Sequence, residues 1–278
     1  IIHKLSNTHF INCHALNGGG AVFAEFENEL IINNIIGSSC HAGTNNYLGT
    51  GGFIKLVTGN VLLMNNFNIK NNFAWNGGVF DIGEDNDVTL RDFDITNNTV
   101  VVSGGALFMQ SSNIIQLYNG SFNEHTAISG GTISIKDLYN NISMSNIMIN
   151  NTRTTGEGGA ISINGVLREL KINNMKIYNS YSGSFGGSIY IATGVISQLI
   201  TKSFNIFSLY IEDSTSEENG GGIYISKANE KMKISHLTCI KCKSYGDGGG
   251  IYISNNVNDI ILNKLYLKSC IAFQSGAG

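Results

Sequence analysis

Apolar side chains recur along this chain in two alternating blocks, each keyed to a pair of glycines. The pairs begin at Gly19, Gly51, Gly77, Gly104, Gly130, Gly158, Gly186, Gly220 and Gly248, spaced 26 to 34 residues apart. Two positions after each pair stands an apolar residue: Val22, Ile54, Phe80, Leu107, Ile133, Ile161, Ile189, Ile223, Ile251. Two further on stands another: Ala24, Leu56, Ile82, Met109, Ile135, Ile163, Ile191, Ile225, Ile253. The position between is mixed, so the alternation is that of a half-buried strand.

A second block precedes the later pairs, with apolar residues at offsets 0, 2, 5 and 7, as in Leu62, Met64, Phe67 and Ile69, or Leu170, Ile172, Met175 and Ile177. The slip between offsets 2 and 5 predicts two strands meeting at a corner. Three residues beyond comes a small or polar column: Cys13, Asn72, Asn98, His125, Thr152, Ser180, Ser214, Cys242 and Cys270. Each unit therefore holds three short strands and three turns. About 28 residues is too few for a four-stranded propeller blade and leaves no room for the helix of a leucine-rich repeat, but it fits one turn of a parallel β-helix.

The expected fold is all-β: a right-handed, pectate-lyase-like parallel β-helix of about nine to ten coils, its hand following from the chirality of parallel crossovers. With coils about 4.8 Å apart, the rod is about 45 Å long. The glycine pairs mark corners with positive φ and tight clearance between coils. The heptapeptide GGGIYIS at 220–226 and again at 248–254 is then two successive coils in contact.

Composition agrees with many short strands and turns. There is no proline, so every backbone N–H is free for a ladder, and the 37 asparagines suit left-handed turns and stacked amides. An AT-rich genome would also give this bias. The net charge of −3 with 13 % charged residues offers no basic field for nucleic acid, and no apolar run is long enough to be a transmembrane segment. Residues 1–278 read as a single domain. The start IIHKLSNTHF lacks an initiator Met, and the final SGAG matches the start of another coil. Both suggest a piece of a longer chain, continuing into further coils or a neighbouring subunit.

The literal motifs GGAV at Gly19, GGAL at Gly104, GGAI at Gly158, GGSI at Gly186 and GGGI at Gly220 and Gly248, with FxxN at Phe73–Asn76, resemble the repeats of chlamydial polymorphic outer-membrane proteins and related protist surface proteins. The resemblance covers nearly the whole chain. It implies a surface location and an adhesive role.

Candidate chemistry is sparse. Enzymes of this fold that cut acidic polysaccharides gather carboxylates on one face, as hydrolysis and calcium-assisted elimination require. Here the outward column from Asn68 through Asp94 to Tyr266 carries one acid, and the first-strand outward column carries only Asp81. The acidic stretch DIGEDNDVTLRDFD at 81–94 reads as a solvated turn plus a strand. No catalytic residues and no cofactor are assigned. The six histidines share no column or ligand spacing, so no metal is assigned either.

Tyr190, Tyr224 and Tyr252 form an outward stripe that could bind a sugar ring or protein partner, or stabilise the sheet by stacking. Cys239 and Cys242 make a CxxC without a second pair. Cys242 and Cys270, one coil apart, suit either a disulfide or a buried thiol stack. N-glycosylation sequons begin at Asn97, Asn119, Asn141 and Asn150. The two long coils place insertions at CHAGTNNYLGT and ATGVISQLITKSF, where a rigid scaffold would carry recognition loops.

The reading is a non-catalytic extracellular or cell-surface scaffold, adhesin-like or structural, with glycan or protein ligands or neighbouring subunits as partners. The alternative is a polysaccharide-active lyase or hydrolase.

Overall fold

The computed structural model describes residues 1–43, 48–192, 203–226, 232–254 and 259–277. These residues form one sheet system of parallel strands wound into a β-solenoid of about nine turns, without a helix among them. A representative coil runs through Ile54–Thr58, Val61–Lys70 and Phe73–Asn76. Val61–Lys70 pairs in parallel with Glu29–Ser38 on one side and Asp87–Thr96 on the other. Like residues lie beside like: Leu62 on Leu30 and Val88, and Ile69 on Ile95.

The interior is built from the columns of the repeat. Residues at offsets 0, 2, 5 and 7, such as Leu170, Ile172, Met175 and Ile177, are almost fully buried and join the glycine-proximal isoleucines in one continuous core. Ile223 is fully buried, and its partner Ile251 in the next GGGIYIS copy packs against the same core. Cys40 joins the small polar column beside Cys13, one 27-residue step on, at the end of a block whose last inward position is Gly37.

The predicted corner is a single left-handed residue inside a continuous ten-residue strand. It is asparagine in most coils, with φ near +50° at Asn34, Asn66, Asn119, Asn146 and Asn174, and aspartate at Asp92. Short polar side chains tolerate this conformation where branched ones do not. At the glycine pair both members are needed for different reasons. Gly104 sits at φ +66°, and a Cβ on Gly105 would lie 2.1 Å from the carbonyl oxygen of Gly131 in the next coil.

Two coils break the apolar pattern. Gly37 and Gly120 stand in inward columns because aromatic rings from adjacent positions occupy the space: a Cβ there would meet the ring of Phe53 at 2.5 Å and that of Phe93 at 2.1 Å. Large neighbours compensate for small ones, keeping the core close-packed.

Two buried asparagine ladders run between coils. In one, Asn60, Asn86, Asn113 and Asn140 each accept, through Oδ1, the backbone N–H of the equivalent residue one coil earlier, at 2.8 to 3.0 Å. In the other, Asn72 and Asn98 do the same for Cys40 and Asn72 at 2.8 and 2.9 Å. His125 continues it, accepting the N–H of Asn98 at Nδ1 (3.2 Å) while Nε2 faces the carbonyl of Ile95 at 3.1 Å.

Candidate functional site

The left-handed corners line a groove of about 670 Å³ along the first five coils. One wall is the row of corner side chains Asn7, Asn34, Asn66, Asp92 and Asn119. The other is the outward residue two positions on, represented by His9, Ile36, Asn68 and Asp94. The corner amides bond along the axis: Asn34 Nδ2 donates to Asn7 Oδ1 at 2.9 Å and Asn66 Nδ2 to Asn34 Oδ1 at 2.8 Å. Beyond Asp92, Asn119 donates to Asp92 Oδ1 at 3.1 Å, and Asn146 to Asn119 at 2.9 Å. Asp94 accepts the Ser121 hydroxyl and a longer contact from Asn68 at 3.5 Å. No lysine or arginine lines the groove.

The rest of the acidic stretch is scattered around the coil. Asp81, only 2 % exposed, is paired with Lys55 at 3.4 Å and bonded by the Thr50 hydroxyl; burial pushes its carboxyl above the usual range against both partners. Glu84, Asp85 and Asp87 lie on an exposed turn, and burial raises Asp87. Asp92 is exposed and Asp94 half-buried. Among the described residues, no group of three His, Cys, Asp or Glu side chains is placed to hold a metal ion.

Tyr190, Tyr224 and Tyr252 do form one stripe. Their rings stack nearly parallel, with centroids 5.4 and 5.2 Å apart and interplanar angles of 10° and 8°, and Phe185 packs on Tyr224 at 4.6 Å. The ring faces are turned to one another along the axis, so a partner approaching from the side meets ring edges and hydroxyls. Burial, then the charge of Glu157, pushes Tyr190 up to about 12.

The five cysteines are free thiols. Cys239 and Cys242 are fully buried, and Cys270 is half-exposed with its thiol 3.5 Å from the carbonyl of Cys239. The neighbouring Cys239 thiol and burial hold Cys242 well above the ordinary thiol range, as the Cys242 thiol does for Cys270.

Of the sequons, Asn97 and Asn119 are exposed at left-handed corners, while Asn141 and Asn150 are half-buried in strands. Asn97 and Asn119 each spend one amide hydrogen on the preceding coil. A glycosylated amide keeps one N–H, so these bonds are compatible with a sugar. The insertions run through residues 44–47 and 193–202, outside the described residues.

Sequence reading missed the groove. The corner asparagines were visible as residues, but the concavity comes from the angle between two strand directions repeated over five coils. Comparison with known families, curated proteins and solved structures gives no match.

Proposed function

We propose that this chain is a non-catalytic scaffold of a cell surface or extracellular layer, a stiff rod whose faces bind glycans or proteins. One observation carries the reading: the carboxylates of the acidic stretch are split between a buried site at Asp81 and the open groove, where Asp92 and Asp94 are already engaged by donors. Asp81 is locked in a buried pair with Lys55, and Asp92 and Asp94 are held by amide and hydroxyl donors on an open groove. The axial register of the core gives such a rod stiffness, and the corner and tyrosine ladders give it regular polar and aromatic faces. The GGA[VIL] repeats that resemble surface proteins, together with the exposed sequon Asn97, support a secreted setting.

Incubation of the purified protein with neutral and uronic-acid oligosaccharides is expected to give retention without new reducing ends or unsaturated products. Release of cleaved sugar would replace this reading with a polysaccharide-active enzyme. Antibody staining of unpermeabilised source cells tests the location, and labelling only after permeabilisation would refute it.

A further inference from the structure

The relay of corner amides has a direction, and it is interrupted once. Each asparagine nitrogen donates to the oxygen of the coil before it, from Asn34 to Asn7, from Asn66 to Asn34, and again from Asn119 to Asp92 and Asn146 to Asn119. An ionised carboxylate has no hydrogen to give. Asp92 therefore receives the relay and cannot pass it on, so the bond that would join it to Asn66, its counterpart one coil earlier at the ~4.8 Å coil step, is not made. Asn66 Oδ1 and the Asp92 carboxylate are both acceptors. In the adjoining row of the same two coils, Asp94 Oδ2 receives only the 3.5 Å contact from Asn68. The middle of the groove is thus a cluster of oxygen acceptors in need of donors.

We propose that this groove binds an uncharged oligosaccharide laid along the solenoid axis, with adjacent sugar hydroxyls bridging Asn66 Oδ1 and Asp92. The proposal rests on the reading of the chain as a binding scaffold and names the ligand of one face. Three features select a sugar. A hydroxyl supplies the missing donors, and an adjacent pair of them matches a carboxylate. The corner amides of Asn34 and Asn66 each spend one N–H on the relay and keep a second for a ring or glycosidic oxygen, which a simple cation could not use. Ile36, 44 % exposed in the groove, offers an aliphatic surface to the C–H face of a pyranose. Polyanions are disfavoured, because two carboxylates and no lysine or arginine are among the residues that line the groove.

The test uses the full chain made in a bacterial host, so that Asn119 is unmodified, on an array of neutral hexose, N-acetylhexosamine, uronic-acid and sulfated oligosaccharides, followed by calorimetry on the best binder. Neutral chains are expected to bind and acidic ones not to. The decisive variant is Asp92→Asn, whose new amide completes the relay to Asn66. It is expected to keep or raise the melting temperature while lowering affinity roughly tenfold or more, the effect of losing a hydrogen bond to a charged group. A folded Asp92→Asn protein that binds as tightly as the parent, or an array on which only acidic glycans or none are retained, overturns the groove and leaves the scaffold reading intact. Cleavage of a bound neutral chain, lost in Asp92→Asn, would support the groove and sink the non-catalytic reading.

Discussion

The first coils and the last fill the same inner column with different chemistry. From Asn72 to His125, after the thiols of Cys13 and Cys40, the column is made of long polar side chains that reach one coil back and accept a turn N–H, as Asn72, Asn98 and His125 do. From Thr152 onward it holds hydroxyls and thiols, which bond to one another or to nearby carbonyls. Thr152 meets Ser180 at 3.2 Å, Ser188 meets Ser214, and Cys242 faces the carbonyl of Ile240 at 3.7 Å. The second buried ladder, Asn60 to Asn140, likewise belongs to the earlier coils. The same backbone thus tolerates two solutions: register fixed by directional amide bonds, and register fixed by isoleucine columns with a short polar filler.

The sharpest way to break this comparison is to remove one side chain of each kind. Asn86 Oδ1 accepts both the N–H and the Nδ2 of Asn60, at 2.9 and 3.1 Å, and its own Nδ2 donates to the carbonyl of Glu84 at 3.0 Å. Asn86→Ala leaves the buried N–H of Asn60 unpaired and opens a cavity, at a cost of about 3 kcal/mol. Ser214→Ala removes one hydroxyl of a small buried pair with Ser188 and strands no backbone N–H, at a cost of about 1 kcal/mol. Urea denaturation of the two variants measures the difference. Equal losses would mean that amides and hydroxyls serve the column alike.

His125 stands at the seam and makes the difference pH-dependent. It is fully buried, and desolvation, only partly offset by the Asn98 and Ile95 contacts, lowers it from 6.5 to about 4. The unfolded chain therefore takes up this proton first as pH falls. The stability is fully present above pH 6.5 and is lost progressively between 6.5 and about 4. The loss is of order 2 to 3 kcal/mol. His125→Asn carries the amide ladder through the seam and is expected to fold with this pH window flattened. Melting curves of parent and variant from pH 7 to pH 4 that fall in parallel would show that another group titrates there.

Much of this was legible in the sequence, and the reason is translational symmetry. When each coil touches the next, spacing alone identifies which residues share a row, so the isoleucine columns, the glycine corners and the Tyr190, Tyr224, Tyr252 stripe could be read directly. What escaped depends on exchange between rows. Gly37 and Gly120 look like failures of the pattern until Phe53 and Phe93 are seen to fill their places. Asp81 stands in an outward column and reads as solvated, yet the turn at Thr50 and the Lys55 side chain enclose it. Cys40 escaped because its block ends on Gly37 and so breaks the apolar pattern, although it stands one ordinary step from Cys13. The groove escaped for a related reason: a row shows which side chains align, and not whether the surface beneath them is concave.

The smallest expected effect is the most discriminating test of the later column. Cys242→Ser replaces a buried thiol with a hydroxyl in a row already held by Ser180 and Ser214, so the change should cost less than about 1 kcal/mol. Asn98→Ser, the same size class of replacement in the earlier half, strands the N–H of Asn72 and should cost about 2 kcal/mol or more. The two values, measured by the same denaturant titration, separate a permissive half from an exacting one. Native mass measurement of the parent under non-reducing conditions adds a chemical check. A loss of two hydrogens mapped to Cys242 and Cys270 would mean that a covalent staple holds these coils, and Cys242→Ser would then cost far more than a thiol-to-hydroxyl exchange. An intact thiol count leaves packing and the serine-like hydrogen bond of Cys242 to Ile240 as the whole contribution of that side chain.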